Sequence, residues 1–345
     1  MRLTGFFIII LALLIFGACT PAYQRFSAHR LGPFDTITTF IGYAENEEAF
    51  AHYADIVFGR LEELHRYYDI FNAYDGINNL YTINSRAGIA PVAVSQDIID
   101  LLLVAREAYE ITEGMTNAAM GAVLRIWHEY RTYGIANPDY AALPSWEILA
   151  QAAELMDMSH VIIDEAGGTV FLEAYGMSLD VGSIAKGFAA GLAAEAAAEA
   201  GMEAMLLSAG GHVVAIGTPP GRDAWNIGIA NPDRTTPGAP QTVDTLRATD
   251  VAVSTSSASL RYFTVDDGYL GHIIDPTTLH PPQRFAQVVV IHPVSWMADA
   301  LSTALFILPL EEGQAMARQA GADALWIDIY NNWTYTAGYE IMSAE

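Results

Sequence analysis

The stretch that decides the fold reads Leu179-Asp180-Val181-Gly182-Ser183-Ile184-Ala185-Lys186-Gly187 and continues into an alanine-rich segment that stops at Gly201. It predicts a strand end followed by a helix over 184–200, whose small side chains allow close packing against a sheet. A helix N-terminus carries unpaired N–H groups and partial positive charge, so this junction suits a phosphate group. The alternative is an ordinary helix cap, with Ser183 as the acceptor and Lys186 exposed.

Outward from this junction, apolar residues at helical spacing predict amphipathic helices over 45–68 and 94–112. Residues 34–41 are rich in β-branched and aromatic side chains and predict a strand. Short apolar runs between Gly, Pro and Asp turns predict further strands at 204–207, 213–216, 225–229, 251–254 and 288–291. Because strands outnumber helices and do not alternate with them one for one, we expect an α+β sandwich with mainly antiparallel sheets.

The N-terminus has the composition of a secretory signal over residues 1–18, with Arg2 followed by an apolar run that is too short to cross a bilayer. Phe16-Gly17-Ala18-Cys19 resembles a bacterial lipobox and contains the only cysteine. It predicts a lipid on Cys19, a tether over 19–33, and anchoring to the cell membrane on its extracytoplasmic face. An ordinary cleaved signal and a short anchor are the alternatives. We expect one catalytic unit over 34–340.

The chain is strongly acidic, with 16 Lys plus Arg against 40 Asp plus Glu and a formal net charge of −24. This charge repels the phosphates of nucleic acid, which is therefore not an expected partner. A dinucleotide substrate would also be repelled unless a bound cation or a local basic group reversed the field. The charge balance is a first hint of a metal.

Two further segments carry residues suited to catalysis. The first, Gly271-His272-Ile273-Ile274-Asp275-Pro276-Thr277-Thr278, offers a histidine that can accept a proton near neutral pH, although such histidines are more often structural. In the second, Ala298-Asp299-Ala300-Leu301-Ser302-Thr303-Ala304, Asp299 and Thr303 are four residues apart and share one helix face. Hard oxygen ligands at this spacing suit Mg²⁺, although one Asp and one Thr carry little weight alone.

Taken in order along the chain, these three segments resemble the ApbE family of FAD:protein FMN transferases. Other matching segments are Phe34-Asp35-Thr36, Tyr74-Asp75 with Asn78, Asn79 and Asn84, Gly121 with Trp127, Gly210-Gly211, and Trp225-Asn226-Ile227-Gly228-Ile229. The resemblance implies an ApbE-like, T-fold-like sandwich of helices and sheets. It also implies an enzyme that uses Mg²⁺ to cleave FAD, attaches FMN through a phosphoester to a threonine of a target flavoprotein, and releases AMP.

The resemblance also assigns roles to residues. It implies Mg²⁺ ligands at Ser183, Asp299 and Thr303, with Ser302 at a position that is Asp in some members. It implies FAD contacts at Phe34, Tyr74, Ala119, Met120, Gly121, Asp180, Lys186 and Ile274. We also expect His272 to be the base that takes the threonine proton, Asp275 to orient His272, and Lys186 to add positive charge.

The chain departs from the family pattern in four segments. Asn117-Ala118-Ala119-Met120-Gly121-Ala122 stands where the family has Asp-Pro-Thr-Val-Gly-Pro, which removes a hydroxyl from the phosphate region. His212 follows Gly210-Gly211 where the family has Asp or Asn, and Ser257 and Leu279 stand where glycine is usual. Two lost glycines predict altered loop backbones.

Two other functions stay open from the sequence. The same site could use water instead of threonine, giving a Mg²⁺-dependent FAD pyrophosphatase that releases FMN and AMP. The chain could also be a flavin-binding lipoprotein without catalytic activity.

Overall fold

The structure is a computed structural model that describes residues 23–233, 236–258, 262–266 and 268–344. The predicted signal over 1–18 and the predicted lipidation site Cys19 lie outside these residues. Within the described ranges, no helix is both long enough and apolar enough to cross a membrane.

The described residues form fifteen strands. They are β1 (Gln24–Leu31), β2 (Ile37–Ala44), β3 (Val92–Ala93), β4 (Val161–Asp164), β5 (Thr169–Leu172), β6 (Met205–Ala209), β7 (His212–Ile216), β8 (Trp225–Ala230), β9 (Thr242–Ala248), β10 (Val251–Ser257), β11 (Tyr262–Val265), β12 (Gly268–Gly271), β13 (Phe285–His292), β14 (Asp323–Asp328) and β15 (Trp333–Tyr335).

The same residues form nine α-helices. They are α1 (Glu47–Tyr68), α2 (Leu80–Ser85), α3 (Gln96–Ile111), α4 (Gly121–Ala136), α5 (Trp146–Ala153), α6 (Ala185–Glu199), α7 (Ser295–Ile307), α8 (Leu310–Ala320) and α9 (Ala337–Met342). The predicted helices at 45–68, 94–112 and 184–200 correspond to α1, α3 and α6.

Eight strands form the main sheet, in the order β1-β2-β6-β7-β10-β13-β14-β15. Every neighbouring pair in this sheet is antiparallel. The β8–β9 and β11–β12 hairpins and the three-stranded sheet β3-β5-β4 are separate from it. The predicted α+β class with mainly antiparallel sheets is therefore confirmed.

The main sheet is buried on both faces, as the alternation along β13 illustrates. Val288 and Val290 pack into the cluster formed with α1, α3, α6 and α7, whereas Val289 and Ile291 pack into the cluster formed with the β8–β9 hairpin and α9. Successive strand residues point to opposite faces, so a continuous apolar run covers both. The helices thus lie on one side of the sheet and the hairpin on the other.

A third apolar cluster lies beside the main sheet and places α4 next to the β11–β12 hairpin. It includes Trp127 of α4 and Phe263 of β11. The Trp127 indole N–H donates to the Leu279 carbonyl at 2.9 Å. Leu279 has φ +59° and is almost fully buried, so at this position the loop keeps a left-handed conformation that favours glycine.

The tether predicted over 19–33 is wrong for residues 24–31, which form β1 along the edge of the main sheet. Phe26 stacks on Phe50 with ring centroids 5.4 Å apart. Arg30 bonds Glu62 at 2.6 Å, and its guanidinium lies 4.8 Å from the Phe58 ring centroid. These contacts with α1 make β1 part of the folded unit, which begins before the predicted boundary at residue 34.

The strand predicted at 34–41 is displaced toward the C-terminus, because β2 spans Ile37–Ala44. Phe34 and Asp35 instead have φ values of 56° and 52°, in a short 3-10 turn (Pro33–Asp35) that follows Gly32. Left-handed backbone is uncommon for residues other than glycine, and it often occurs at functional sites.

Candidate functional site

A cavity of about 1240 Å³ opens where several elements meet at one end of the main sheet. This volume exceeds the roughly 300–1,000 Å³ that is typical of small-molecule sites, so it suits a large ligand. Its walls come from the turn before β2, the turn between β6 and β7, β8, the end of β10, the segment leading into α6, one side of α7, and α4 with the β11–β12 hairpin.

Asp299 and Thr303 both line the cavity from consecutive turns of α7, as their spacing predicts. The Asp299 side chain is almost completely buried. Its Oδ2 accepts the Gly187 backbone N–H at 2.8 Å, and its Oδ1 accepts the Ser254 hydroxyl at 2.9 Å. These two bonds hold the carboxylate in one orientation at the cavity wall.

Ser183 and Lys186 line the cavity from the loop before α6 and from the first turn of that helix. Lys186 Nζ lies 3.7 Å from Asp299 Oδ2 and donates to the Gly182 carbonyl at 3.3 Å. Lys186 is also the only lysine in the 345-residue sequence. The only lysine side chain of this strongly acidic protein therefore lies beside the Asp299 carboxylate.

Ser302 lies behind this wall. It is buried, and its hydroxyl donates to the Asp299 carbonyl at 2.9 Å and contacts the Ser256 hydroxyl at 2.9 Å. It is not among the cavity-lining residues. The structure therefore brings together three of the four predicted metal residues, Ser183, Asp299 and Thr303, and places Ser302 in the network that supports Asp299.

The three cavity-lining oxygen donors fit Mg²⁺. In the described ranges, the hydroxyls of Ser183 and Thr303 make no hydrogen bond to protein, so both are available to a ligand. The same ranges hold no group of three or more His, Cys, Asp or Glu side chains that could hold a metal ion by themselves. One carboxylate with hydroxyls suits Mg²⁺, which keeps several waters and takes further oxygens from a phosphate-bearing substrate.

Asp180 lines the cavity at the strand end before α6. Its Oδ1 accepts the Gly182 N–H at 2.9 Å. Burial raises the pKa of the Asp180 carboxyl, while this bond and the nearby charges of His128, Arg131 and Lys186 act in the opposite direction. Asp180 therefore lies among the basic groups of the site.

His128 and Arg131 of α4 were not predicted from the sequence, and both line the cavity. Arg131 Nη2 lies 3.0 Å from His128 Nδ1, so the two side chains form a pair on one helix face. Arg131 and Lys186 supply local positive charge in a chain of net charge −24. The spacing of three residues between His128 and Arg131 in the sequence could have indicated that they share one helix face. Only the packing of α4 shows that this face is turned toward the cavity.

His272 and Ile274 line the cavity, whereas Asp275 lies in the adjoining turn and is not among the lining residues. Asp275 Oδ1 accepts the Thr277 N–H at 2.8 Å, the Thr277 hydroxyl at 2.6 Å and the Thr278 N–H at 3.3 Å. These hydrogen bonds stabilise the turn that contains Asp275 itself. The roles of His272 as the base and of Asp275 as its orienting group remain predictions.

The remaining predicted FAD contacts divide between the cavity surface and the layer behind it. Phe34 and Met120 line the cavity, and the Phe34 N–H donates to His65 Nδ1 at 3.3 Å. Ala119 is fully buried behind Met120. Gly121 is also buried, and a Cβ there would lie 2.4 Å from the Ser178 carbonyl oxygen, so this position requires glycine.

Tyr74 does not line the cavity, but its hydroxyl donates at 2.8 Å to Asp69, which does. Asp69 also accepts bonds from Asn72 and from the Phe71 and Asn72 backbone N–H groups. Burial alone would raise the pKa of Asp69, but these hydrogen bonds outweigh it and lower that pKa. Tyr74 thus reaches the cavity through Asp69.

His212 is fully buried on β7, next to the wall that carries Asp299. Its Nε2 lies 2.8 Å from the Ser295 hydroxyl, and that hydroxyl donates to the Gly187 carbonyl at 2.6 Å. Burial lowers the pKa of His212 to about 4, with the nearby Asp299 charge opposing this shift. His212 is therefore neutral at physiological pH.

Comparison with known proteins finds similar sequences. A FAD:protein FMN transferase of Treponema pallidum is 35% identical over 263 residues, covering 72% of this chain and 70% of the relative. One of Klebsiella pneumoniae is 30% identical over 264 residues, covering 76% and 78%.

Solved structures share the fold. The ApbE protein of Thermotoga maritima superposes with a TM-score of 0.82 at 23% identity, covering 93% of this chain and all of that one. The apo form of the Pseudomonas stutzeri flavinyl transferase ApbE gives 0.75 at 22% identity, covering 93% and 96%. The ApbE family model matches residues 36–326, which is most of the sequence. The chain belongs to the ApbE family.

Proposed function

We propose that this protein is a FAD:protein FMN transferase, which cleaves the pyrophosphate of FAD, joins FMN to a threonine hydroxyl of a target flavoprotein, and releases AMP. The observation that carries the proposal is the cavity wall where Asp299, Thr303 and Ser183 face the same space as Lys186. Oxygen donors and positive charge that line one cavity suit a pyrophosphate. The names of the relatives in Treponema and Klebsiella support the same reaction.

Asp299, Ser183 and Thr303 would hold Mg²⁺ in this site. When bound, Mg²⁺ supplies charge neutralisation to the pyrophosphate and to the leaving oxygen. Asp299 suits this role because its carboxylate is already oriented by Gly187 and Ser254, so little reorganisation is needed on binding.

The protein's own basic groups would draw in the dinucleotide. Lys186 and Arg131 line the cavity of a chain whose net charge otherwise repels anions. His272, on the same cavity surface, would take the proton from the attacking threonine hydroxyl through an imidazole nitrogen. The hydroxyl oxygen would then bond the FMN phosphorus as the bond to the AMP oxygen breaks.

We further propose that Cys19 carries a lipid and that the enzyme works at the extracytoplasmic face of the cell membrane. The support is the apolar run that ends in Phe16-Gly17-Ala18-Cys19. Metabolic labelling with a radioactive fatty acid tests this. Label in the full-length protein and none in Cys19→Ser is expected, and equal label in both would contradict it.

The decisive test of the reaction is mass spectrometry of a candidate acceptor after incubation with the protein, FAD and Mg²⁺. The expected result is an FMN adduct on a threonine with release of AMP. Release of FMN and AMP with no adduct on any acceptor would instead identify a pyrophosphatase. FAD recovered unchanged would identify a flavin-binding protein without catalysis.

The Asp299→Asn variant tests the site itself. It keeps the size of the side chain but removes the charge that the metal needs, so loss of adduct formation is expected. Asp244→Asn is the matched control, because Asp244 also accepts side-chain bonds, from Tyr339 and Ser343, and is not among the cavity-lining residues. Normal transfer by Asp299→Asn would overturn the assignment of the metal carboxylate.

A further inference from the structure

The protonation of the buried His212 ring follows from its hydrogen bonds. The Ser295 hydroxyl has one proton, which it donates to the Gly187 carbonyl at 2.6 Å. The 2.8 Å contact between Ser295 and His212 Nε2 therefore requires an N–H on Nε2. The lone pair of the neutral ring is then on Nδ1, which is buried and has no hydrogen-bond partner in the described residues.

An unpaired buried nitrogen costs stability that an apolar residue of similar size would not cost. The other ring nitrogen of His212, Nε2, offers a reason to keep a histidine at this position despite the lost stability. Through Ser295, Nε2 fixes the Gly187 carbonyl in the first turn of α6. The Gly187 N–H in turn donates to Asp299 Oδ2. A continuous series of hydrogen bonds thus leads from His212 through Ser295 and Gly187 to the carboxylate at the cavity wall.

The two helices in this series touch at very short range. A Cβ on Gly187 would lie 2.5 Å from the Asp299 Cβ and 2.9 Å from the Ser295 carbonyl oxygen. A small rotation of α6 against α7 would therefore move both Lys186 and Asp299. Ser295 bonded to His212 is one polar link that fixes this crossing to the sheet, because His212 belongs to β7. The Ser254 hydroxyl of β10, which donates to Asp299 Oδ1, is another.

We infer that His212 is a positioning residue, which holds the Ser295–Gly187 contact and so fixes the Asp299 carboxylate in the orientation that binds the metal. His212 is fully buried and is not among the residues that line the cavity, so it acts through other residues. The inference rests on the proposed function, in which Asp299 is the metal carboxylate. It is specific to this chain, where histidine follows the two glycines.

Three substitutions of His212 distinguish a role in hydrogen bonding to Ser295 from a role in filling the space of the ring. Glutamine places its amide nitrogen as many bonds from Cα as histidine Nε2 is, so His212→Gln can donate to Ser295. Asparagine reaches only as far as Nδ1, so His212→Asn cannot, although it is polar. Phenylalanine keeps the ring volume without any donor.

The measurement is Mn²⁺ binding without nucleotide, followed by electron paramagnetic resonance of the free ion. Loss of groups that orient a metal ligand typically weakens metal binding by 10–100-fold, so a rise in the Mn²⁺ dissociation constant of about 10-fold is expected for His212→Phe and His212→Asn. His212→Gln is expected to stay within about twofold of the unsubstituted protein, since the donor to Ser295 is restored.

Val214→Ala is the matched control for loss of stability. Val214 lies two residues along β7 from His212, is buried in the helix-side core, and makes none of these bonds. It should lower the unfolding temperature without changing Mn²⁺ affinity. Thermal unfolding of each variant without metal establishes that the protein measured is folded.

The inference would be overturned if His212→Phe kept the Mn²⁺ affinity of the unsubstituted protein, or if His212→Gln bound Mn²⁺ as weakly as His212→Phe. It would also be overturned if Val214→Ala bound Mn²⁺ weakly, or if the unsubstituted protein bound no Mn²⁺. The last would also remove the proposed metal site, whereas the first three would leave it standing. Because the measurement needs no acceptor protein, its outcome is independent of whether FMN is transferred or released.

Discussion

The Asp299 carboxylate accepts the backbone N–H of Gly187 at 2.8 Å, with a distance between their helices so short that position 187 has no room for a side chain. The contact connects the first turn of α6 with the second turn of α7. One carboxylate therefore joins the two helices and faces the cavity at the same time.

Gly187→Ala should separate these helices. The added Cβ would lie 2.5 Å from the Asp299 Cβ, so the helices must shift at a cost of about 1–3 kcal/mol in the free energy of unfolding. Transfer of FMN should fall with it, because Asp299 loses its fixed orientation. Urea unfolding and the adduct assay measure the two effects.

Gly59→Ala is the matched control for this prediction. Gly59 is exposed on α1, and nothing lies within 4 Å of a Cβ built there. Alanine is favoured over glycine within a helix, so this variant should gain about 0.5–1 kcal/mol and keep full transfer. A Gly187→Ala protein as stable and active as Gly59→Ala would contradict the packing argument.

The single lysine allows a chemical test of the site. An amine-reactive acylating reagent can modify Lys186 and the α-amino group only. Removing the Lys186 charge should weaken FAD binding by about 10-fold, the loss expected for a hydrogen bond to a charged group. Peptide mapping locates the modification, and saturating FAD with Mg²⁺ should protect Lys186.

The Lys186→Met variant controls for the α-amino group. It should already bind FAD weakly and should lose nothing further on acylation. If the reagent weakened FAD binding by this variant as much as by the unsubstituted protein, the effect would have to come from another group.

Patterns that depend only on neighbouring residues predicted much of this fold. The helix predicted over 45–68 is observed as α1 over Glu47–Tyr68. Both of its determinants are local in the sequence: an apolar stripe along the helix, and an Asn46 side chain that accepts the Ala49 N–H at its start. The edge strand β1 was not predicted, because none of its residues is fully buried and its apolar contacts with the core are few, such as those of Phe26 and Ala28. Its strand character depends on pairing with β2, which no local pattern encodes.

The same limit applies to the candidate site. The four-residue spacing of Asp299 and Thr303 was enough to place both at the cavity, since they recur on one helix face. Ser302 is adjacent to Thr303 in the chain, but one residue turns a helix by about 100°, so its hydroxyl points into the core. Arg131 was missed because α4 reaches the cavity only through the packing of the third apolar cluster.

His212 should make stability depend on pH in the mildly acidic range. The pKa of His212 is lowered by burial from 6.5 to about 4, so below pH 6.5 the unfolded chain takes up a proton that the native state does not. Native stability is therefore complete above pH 6.5 and falls as the pH drops toward 4. The loss over this interval is about 3 kcal/mol.

Urea unfolding at several pH values measures this loss. His212→Gln carries no titrating ring, so its stability should fall by about 3 kcal/mol less than that of the unsubstituted protein between pH 6.5 and 4. The other histidines contribute equally to both proteins. Parallel pH profiles would mean that His212 protonates as readily in the folded protein as in the unfolded chain.

Tyr74 should influence FAD binding through Asp69 rather than by direct contact. Tyr74→Phe removes the hydroxyl that donates to Asp69 at 2.8 Å, which should raise the pKa of Asp69 and cost about 1 kcal/mol of stability. The KM for FAD should change by the same factor in Asp69→Asn as in the double variant Asp69→Asn with Tyr74→Phe. Both substitutions remove the same Tyr74–Asp69 interaction, so the second has no further effect.

Tyr339→Phe is the control for this cycle. The Tyr339 hydroxyl also donates to a carboxylate at 2.8 Å, that of Asp244, but it does so in the cluster on the hairpin side of the sheet. It should cost similar stability and leave the KM for FAD unchanged. Additive effects of the Tyr74 and Asp69 substitutions on KM would show that Tyr74 acts on FAD independently, as a direct contact would.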